Sequence, residues 1–308
     1  MPELPEVEVV RAGLEPAVTG ATVASVTVYD ERSLRRHDGP SEDFIDRLTG
    51  RELLAPQRRG KFMWVPLGRR VELVETSPTS IAGEISTSSI RLPSEALVVH
   101  LGMSGQVLLR DRTRDDALTR IRLELDNGYR LNFVDQRIFG SMSIDTLVPT
   151  ADHPEQLVPS QVAHIARDPM DERFDDSRFF AALARRNTGI KRALLDQTLV
   201  SGIGNIYADE SLWGAKIHYE QPTSTLSRAK AKLLLAEVRA VLTQALTEGG
   251  TSFDAQYLNV NGQSGYFAHS LKVYGQQGEA CPRCGRPVVR EQFMNRGSHF
   301  CPWCQRVR

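Results

Sequence analysis

The sequence predicts a multidomain α+β protein, and three changes of pattern along its 308 residues support that prediction. From Thr22 to about Leu147, short β-rich runs alternate with turn residues, which indicates a β-sandwich or a barrel. From Asp175 to Leu246, apolar residues recur at helical spacing. All four cysteines fall in the last 28 residues. Such clustering predicts one local site and not a disulfide framework spread over the chain.

The individual elements follow from these patterns in chain order. A helix is expected first, from about Glu6 to Val18, because its apolar residues fall on roughly one face. The expected strands include Thr22–Val28, Lys61–Val65, Ala96–Leu101, Ile121–Leu125 and Tyr129–Phe133. The last two form a hairpin across Asp126-Asn127-Gly128, a favourable turn sequence. The expected helices are Phe179–Arg185, Ile190–Leu195, Tyr207–Trp213 and Ser227–Leu246, with Ser227 as the N-cap.

Two segments interrupt these elements. Arg69–Glu95 is rich in Ser and Thr and lacks periodicity, so we expect an exposed loop insertion. Gly249–Ser270 is rich in Gly, Asn, Ser and Gln, which predicts a loop or lid. The predicted domains are residues 2–150, residues 151–270 and residues 271–308.

Composition describes an ordinary soluble globular protein, with 41% hydrophobic and 25% charged residues. Lys plus Arg and Asp plus Glu both number 38, so a DNA-binding face would require local segregation of charge. The sequence shows neither a secretory signal nor an apolar run of membrane-spanning length. We therefore expect a cytoplasmic location and no membrane partner. We also expect a monomer.

The cysteine spacing predicts a metal site. Cys281-x2-Cys284 and Cys301-x2-Cys304 match tetrahedral Zn²⁺ held by four thiolates, with a hairpin between the two pairs. The alternatives are disulfides or free thiols, and a cytoplasmic location disfavours disulfides. Four thiolates leave no open coordination position, so the ion would be structural. Six arginines against one glutamate give this segment, residues 281–308, a local charge of +5.

The start of the chain offers a nucleophile. Removal of Met1 would leave Pro2 with a secondary amine, and an α-amino group with a pKa of about 7.8 is roughly 14% unprotonated at pH 7. Such an amine can form a cationic imine with a sugar aldehyde. Glu3, directly beside it, is placed to give or take a proton. The alternative is an ordinary helix start with acidic residues at the positive end of the helix dipole.

Several motifs together resemble one family, and they follow its order. The motifs are Pro2–Glu6 (PELPE), Arg59–Lys61 (RGK), His100–Gly105 (HLGMSG), Asp135–Gly140 (DQRIFG), Leu195–Gln197 (LDQ), Gly202–Glu210 (GIGNIYADE) and the cysteine hairpin ending in Gln305. The chain resembles the bacterial formamidopyrimidine-DNA glycosylases, also called 8-oxoguanine-DNA glycosylases. The resemblance covers essentially the whole chain except the Arg69–Glu95 insertion.

The resemblance implies an N-terminal β-sandwich with a leading helix, a helix-two-turn-helix domain and a zinc β-hairpin. It also implies base-excision repair on double-stranded DNA that contains oxidised purines or abasic sites. Pro2 would be the Schiff-base nucleophile and Glu3 the proton donor for base loss, with Glu6 as a supporting carboxylate. Lys61 resembles the lysine assigned to β-elimination, and Arg296 the arginine assigned to δ-elimination.

The resemblance also implies a set of DNA contacts. A glycosylase must flip its target nucleotide out of the stack, and the gap left behind needs filling. Met103, Arg137 and Phe139 resemble the residues that fill it, although without the family context Met103 and Phe139 would be taken for core residues. Phosphate contacts are expected from Lys61, Arg186, Lys191, Asn205, Tyr207 and Arg296. For any single cation among these, the alternative is a solvated surface charge.

The chain departs from the family pattern near Leu118, where a DNA-contacting histidine is missing and Arg120 could substitute for it. One rival interpretation is the sister family of the endonuclease VIII type, which removes oxidised pyrimidines. Leu4, Met103 and the long Gly249–Ser270 segment argue against that family. The other rival is a zinc-hairpin DNA-binding protein without catalysis, which would form no covalent intermediate.

Overall fold

The computed structural model describes residues 2–70, 92–251, 260 and 265–307. Most of the predicted insertion and of the predicted lid therefore lies outside the described residues. The chain forms two compact units. We call Arg11–Gln57 with Met63–Ala163 the sheet unit. The helical unit comprises the described residues of Met1–Val10, Arg58–Phe62 and His164–Arg308.

The sheet unit is built on two antiparallel sheets, so the structure has the predicted β-sandwich and not a barrel. One sheet follows the order β1-β7-β8-β6 and the other the order β10-β9-β5-β4-β2, with β3 pairing β4. The strands are β1 (Val23–Val28), β2 (Arg51–Leu53), β3 (Gln57–Arg59), β4 (Phe62–Arg70), β5 (Glu95–His100), β6 (Gly105–Asp111), β7 (Thr119–Leu125), β8 (Tyr129–Asp135), β9 (Ser141–Pro149) and β10 (Leu157–Pro159). Two helices, α1 (Leu4–Val18) and α2 (Ser41–Leu48), precede β2.

The β7–β8 hairpin shows why these residues form half-buried strands. Ile121, Leu123 and Leu125 alternate with more exposed residues along β7 and are fully buried. Leu123 lies opposite Leu131 in β8, so apolar side chains meet across the pair. The turn needs Gly128, whose φ of +87° lies in the left-handed region. The predicted hairpin is therefore confirmed.

The helical unit contains the four helices predicted from apolar spacing. They are α3 (Asp176–Ala184), α4 (Ile190–Leu195), α5 (Asn205–Ala215) and α6 (Arg228–Thr247). Ser227 caps α6 as predicted, because its hydroxyl accepts a hydrogen bond of 3.3 Å from the Lys230 amide. Leu4 from the start of the chain packs in the same core as these helices. The predicted domain boundaries at residues 150 and 270 stay predictions.

The cysteine-rich tail forms a two-stranded antiparallel hairpin of β11 (Val289–Phe293) and β12 (Arg296–Phe300). The segment that leads into the hairpin is fixed by Glu210 on α5. The buried Glu210 carboxylate accepts hydrogen bonds from the amides of Lys272, Val273 and Tyr274 at 2.8–2.9 Å. Burial nevertheless raises the pKa of Glu210. Among the described residues, no helix combines the length and apolar character that crossing a membrane would require.

Candidate active site and metal centre

Glu3 lies buried at the N-terminus of α5. Its carboxylate accepts hydrogen bonds from the amides of Gly204 at 2.6 Å and Ile206 at 3.2 Å. These amides belong to the end of the helix where backbone N–H groups lack partners and favour an anion. A Cβ at Gly204 would lie 2.2 Å from the carboxyl carbon of Glu3, so glycine is required here for close approach. Pro2, next to Glu3, is buried as well.

The environment of Glu3 suits a proton donor. Burial raises the pKa of its carboxyl from 4.5 to about 7, while nearby Lys61 opposes the shift and Glu6 adds to it. At neutral pH a substantial fraction of the Glu3 side chains therefore carries a proton. An acid with a pKa near the working pH is well matched to general acid catalysis.

Glu6 holds the start of the chain in place. One carboxylate oxygen accepts hydrogen bonds from the Tyr207 hydroxyl at 2.6 Å and from the amide and hydroxyl of Thr251 at 2.8 and 2.6 Å. The other oxygen accepts from the Glu3 amide at 2.8 Å. Glu6 thus connects the first turn of α1 to α5 and to Thr251, in keeping with a supporting role.

The predicted phosphate contact of Tyr207 stays a prediction, and the structure shows what its hydroxyl does. Its side chain has no exposed surface, and its hydroxyl is bonded to Glu6 and lies 3.1 Å from the Thr251 hydroxyl. Burial and the neighbouring carboxylates raise its pKa well above 10, so the phenol stays neutral. The hydroxyl therefore orients Glu6 in this structure.

Lys61 follows a turn that is fixed from two sides. Gly60 has a φ of +57°, a conformation that favours glycine. Arg58 donates to Glu8 at 2.9 Å, to Asp168 at 2.8 Å and to the Gly60 carbonyl at 3.0 Å. The Gly60 amide also donates to Asp168, at 3.2 Å. Sequence reasoning missed Arg58, Glu8 and Asp168, because none of the three belongs to a recognised motif and because Glu8 and Asp168 lie far from Arg58 in the sequence.

The Lys61 ammonium interacts with its charged neighbours in the described chain through space and not through hydrogen bonds. Burial lowers its pKa, Glu3 and Glu6 oppose the shift, and the Arg296 guanidinium lowers it further. In the part of the chain that the structure describes, we find no hydrogen-bond acceptor for this ammonium. A partly desolvated amine of this kind is suited to proton transfer.

Lys191 requires a correction to the sequence prediction. It has no exposed surface, and its ammonium lies 2.6 Å from the Asp209 carboxylate. It also donates to the Ser298 hydroxyl at 3.0 Å and to the Gly297 carbonyl at 3.3 Å. These bonds fix the start of β12 on α4 and α5 and leave no exposed donor for phosphate. The predicted phosphate contact of Lys191 is therefore not supported.

The other predicted phosphate contacts remain predictions. Asn205 is nearly buried and donates its amide to the Gly297 carbonyl at 3.0 Å. Arg186 is half-buried and paired with Asp196 at 2.5 Å. Arg296 is exposed at the start of β12 and donates to the side chain of Asn295 at 3.3 Å. Of these three, Arg296 keeps the most accessible charge.

The predicted gap-filling residues lie on two loops of the sheet unit. Met103 is 40% exposed and Phe139 is 43% exposed, so ordinary core packing does not account for them. Arg137 is exposed as well. The buried Asp135 carboxylate joins the two loops, because it accepts from the Ser104 hydroxyl at 2.5 Å and from the amides of Gly140 at 2.6 Å and Arg137 at 3.1 Å.

The four cysteines form a site for one zinc ion. The sulfur atoms of Cys281, Cys284, Cys301 and Cys304 all lie within 4.8 Å of one another, and none is in a disulfide. Zn–S bonds of about 2.3 Å in a tetrahedron place sulfurs roughly 3.8 Å apart, so the donor set fits zinc. The Trp213 indole donates to the Cys281 sulfur at 3.4 Å, a contact that suits a thiolate ligand.

Three family models match the chain in order. They are the formamidopyrimidine-DNA glycosylase N-terminal domain over residues 1–142, the H2TH domain of the same enzymes over 165–256, and the zinc finger found in FPG and IleRS over 278–307. This order of domains defines a DNA glycosylase of base-excision repair with a structural zinc finger.

Known proteins match over the full length. The formamidopyrimidine-DNA glycosylase of Leifsonia xyli is 58% identical, and the alignment covers 100% of both chains. Lactococcus lactis Fpg in complex with DNA containing N7-benzyl-Fapy-dG superposes with a TM-score of 0.78 at 29% identity, over 99% of each chain. Its complex with DNA containing an oxidized pyrimidine gives 0.77 at 29%, again over 99% of each. The chain belongs to the formamidopyrimidine-DNA glycosylase family.

Proposed function

We propose that this chain excises oxidised purines, 8-oxoguanine and formamidopyrimidines, from double-stranded DNA and then cleaves the abasic strand by β,δ-elimination. The observation that carries the proposal is the buried Glu3 carboxyl, with a pKa of about 7, directly after Pro2 and electrostatically coupled to Lys61. The same cluster would serve both activities, because Schiff-base chemistry at a sugar carbon leads to either outcome. The protein would work as a cytoplasmic monomer.

Base excision would begin with the Pro2 amine, once Met1 has been removed. The Pro2 nitrogen bonds to C1′ of the flipped nucleotide, and the bond from C1′ to the base breaks. Opening of the sugar then gives an iminium ion between the Pro2 nitrogen and C1′. Two protons are needed, one on the base and one on the sugar ring oxygen. The protonated Glu3 carboxyl gives one, and the Pro2 amine gives the other as it becomes the iminium.

Strand cleavage would use the acidity that the iminium confers on the sugar. Removal of a proton from C2′ expels the 3′ phosphate, and a second elimination expels the 5′ phosphate. Lys61, with its lowered pKa, is the proposed proton acceptor in the first elimination. Arg296 is the proposed cation at the second, where a guanidinium suits a departing phosphate. Water then hydrolyses the imine and frees Pro2.

The proposed DNA contacts come from both units. In the sheet unit, Met103 and Phe139 would enter the gap left by the flipped nucleotide, and Arg137 would bond to the orphaned base. In the helical unit, Lys61, Arg296, Asn205 and Arg186 would bind phosphates. The preference for purines rests on the motifs, since Lactococcus lactis Fpg has been solved with an oxidized pyrimidine as well as a Fapy-dG lesion.

Borohydride trapping tests the proposal. The protein is incubated with a duplex that contains 8-oxoguanine opposite cytosine, and in parallel with one that contains an oxidised thymine. We expect a covalent adduct that mass spectrometry maps to Pro2 and that forms faster on the oxidised purine. Faster trapping on the oxidised pyrimidine would move the chain to the specificity of the sister family. Binding without an adduct on either duplex would overturn the enzymatic proposal.

Two variants separate the roles in that assay. Pro2→Gly is expected to depress both base excision and strand cleavage, because it replaces the secondary amine. Glu3→Gln is expected to lower base excision by about 100-fold or more, in the range for loss of a general acid, while cleavage of a preformed abasic site is largely retained. Full base excision by Glu3→Gln would disprove the acid assignment.

A further inference from the structure

Arg35 makes an unusual set of bonds in the sheet unit. Its guanidinium donates to the carbonyl oxygens of Ile138 at 2.7 Å and Gly140 at 2.9 Å, and also to that of Phe139. Three successive carbonyls of the loop that carries Phe139 thus converge on one side chain. Within the described residues, no carboxylate is paired with Arg35. The guanidinium is therefore committed to backbone acceptors, which a planar fork of five N–H donors can satisfy together.

The loop that Arg35 binds is strained. Ile138 has a φ of +56°, and a β-branched residue in the left-handed region is an outlier that the surrounding structure must impose. The strain lies between Arg137 and Phe139, the two residues proposed to act on the duplex. Strain of this kind persists only where other contacts over-determine the backbone.

Two further contacts restrict the same loop. The Asp135 carboxylate binds the amides at both ends of the strained segment, those of Arg137 and Gly140. Gly102, next to Met103, approaches so closely that a Cβ there would lie 2.2 Å from the Phe139 carbonyl oxygen. The amides are thus fixed by Asp135, while Arg35 is the side chain that fixes the carbonyls.

We propose that Arg35 is a positioning residue for nucleotide flipping: it holds residues 137–139 in the strained conformation that presents Arg137 and Phe139 to DNA. This inference rests on the proposed function. Without Arg35 the loop would relax away from the left-handed conformation at Ile138, and the two side chains would no longer be presented together. The loss would be the preorganisation of Arg137 and Phe139 for binding to DNA, and not a contact with the reacting atoms.

The first experiment compares Arg35→Ala with Arg32→Ala. Arg32 lies in the short helical turn Glu31–Leu34, which ends just before Arg35. It is largely exposed and binds Asp30, so it is a matched arginine without contact to the loop. Single-turnover excision of 8-oxoguanine from a duplex should fall about tenfold in Arg35→Ala, the scale expected when one strained element is released. Cleavage of a preformed abasic site, which has no stacked base to extrude, should stay within about twofold. Equal losses on both substrates, or no loss on either, would overturn the proposal.

A second-site change tests the link to strain. Asparagine tolerates the left-handed region far better than isoleucine, so Ile138→Asn should favour the same loop conformation without Arg35. The double variant Arg35→Ala/Ile138→Asn is expected to recover most of the excision rate. A double variant as slow as Arg35→Ala would show that the effect of Arg35 does not act through this backbone strain.

Hydrogen exchange supplies a test that needs no DNA. The amides of Arg137 and Gly140 should exchange several-fold faster in Arg35→Ala than in the parent protein, and at the parent rate in Arg32→Ala. Unchanged protection in Arg35→Ala would overturn the proposal whatever the activity data show. If the parent protein excises no lesion, the proposed function fails. If it does excise and Arg35→Ala excises equally well, only this inference fails.

Discussion

Two regions of the helical unit each shield a lysine from solvent, Lys191 completely and Lys61 partly, and the two lysines have different surroundings. Around Lys191, the Asp209 carboxylate lies 2.6 Å away and two further acceptors come from β12. Around Lys61, Glu3 and Glu6 act through charge, and no acceptor of the described chain is bonded to the ammonium. Burial lowers the pKa of both lysines, and the Arg296 charge lowers both further.

This difference in hydrogen bonding separates a lysine with a structural role from one that is suited to proton transfer. A buried ammonium that is paired and hydrogen-bonded has a fixed position and little freedom to exchange its proton. A desolvated ammonium without such a partner is available for reaction, because its proton is held less firmly. The resemblance to the family implied a phosphate contact for both lysines. The pairing with Asp209, eighteen positions along the chain from Lys191, and the bonds to β12 distinguish Lys191 from Lys61.

Removal of zinc should produce the largest loss of activity. The zinc site holds the hairpin that contains β12, and β12 contributes groups to the surroundings of both lysines. This strand supplies Gly297 and Ser298 to Lys191 and the Arg296 charge to Lys61. A structural zinc site contributes on the order of 10 kcal/mol to folding of its domain. We expect a chelator, or the substitution Cys301→Ser, to lower abasic-site cleavage more than 100-fold, with zinc content and cleavage measured in the same samples. Added zinc should restore the chelated protein but not the variant, and full activity without zinc would contradict the structural role.

Asp209→Asn and Lys61→Met should then separate stability from activity. Asp209→Asn leaves the Lys191 ammonium buried and unpaired, which is expected to lower the free energy of unfolding by about 3–5 kcal/mol. Lys61→Met breaks no ion pair, so it should change that free energy by less than about 1 kcal/mol. It should nevertheless lower abasic-site cleavage by about 100-fold or more, as expected for loss of a general base. Denaturant titration and single-turnover cleavage measure the two quantities, and destabilisation of equal size in both variants would remove the distinction.

The sequence predicted the elements better than the connections between them. Apolar spacing located the helices, cysteine spacing predicted the zinc site, and the N-terminal motif pointed to Pro2 and Glu3. The acceptor that fixes the turn before Lys61 and the one that pairs with Lys191 were missed, because nothing in the sequence marks Asp168 as the partner of Arg58 or Asp209 as the partner of Lys191. The strain at Ile138 was missed as well, since an isoleucine in a loop gives no local signal for a left-handed conformation.

The smallest of the expected changes in activity should come from the titration of Glu3 with pH. Burial raises the pKa of this carboxyl in the folded protein to about 7, above its value of 4.5 in an unfolded chain. The folded protein therefore binds the proton more tightly, so ionisation of Glu3 costs stability as pH rises from about 4.5 to about 7, and the full cost remains above that range. The protonated acid is lost around pH 7, half of it below that pH and the rest above.

Single-turnover base excision should therefore be highest between about pH 7 and 8, where part of Glu3 is protonated and part of the Pro2 amine is free, and it should approach a tenfold fall per pH unit well above pH 8 as protonated Glu3 is lost. Below pH 7 the rate should also fall, since protonation of the Pro2 amine removes the nucleophile. Cleavage of a preformed abasic site needs no acid for base loss, so it should lack the alkaline decrease. The residual excision by Glu3→Gln should lack it too. An alkaline decrease that persists in Glu3→Gln would assign it to another group, and Lys61, whose pKa is also lowered by burial, is the first candidate.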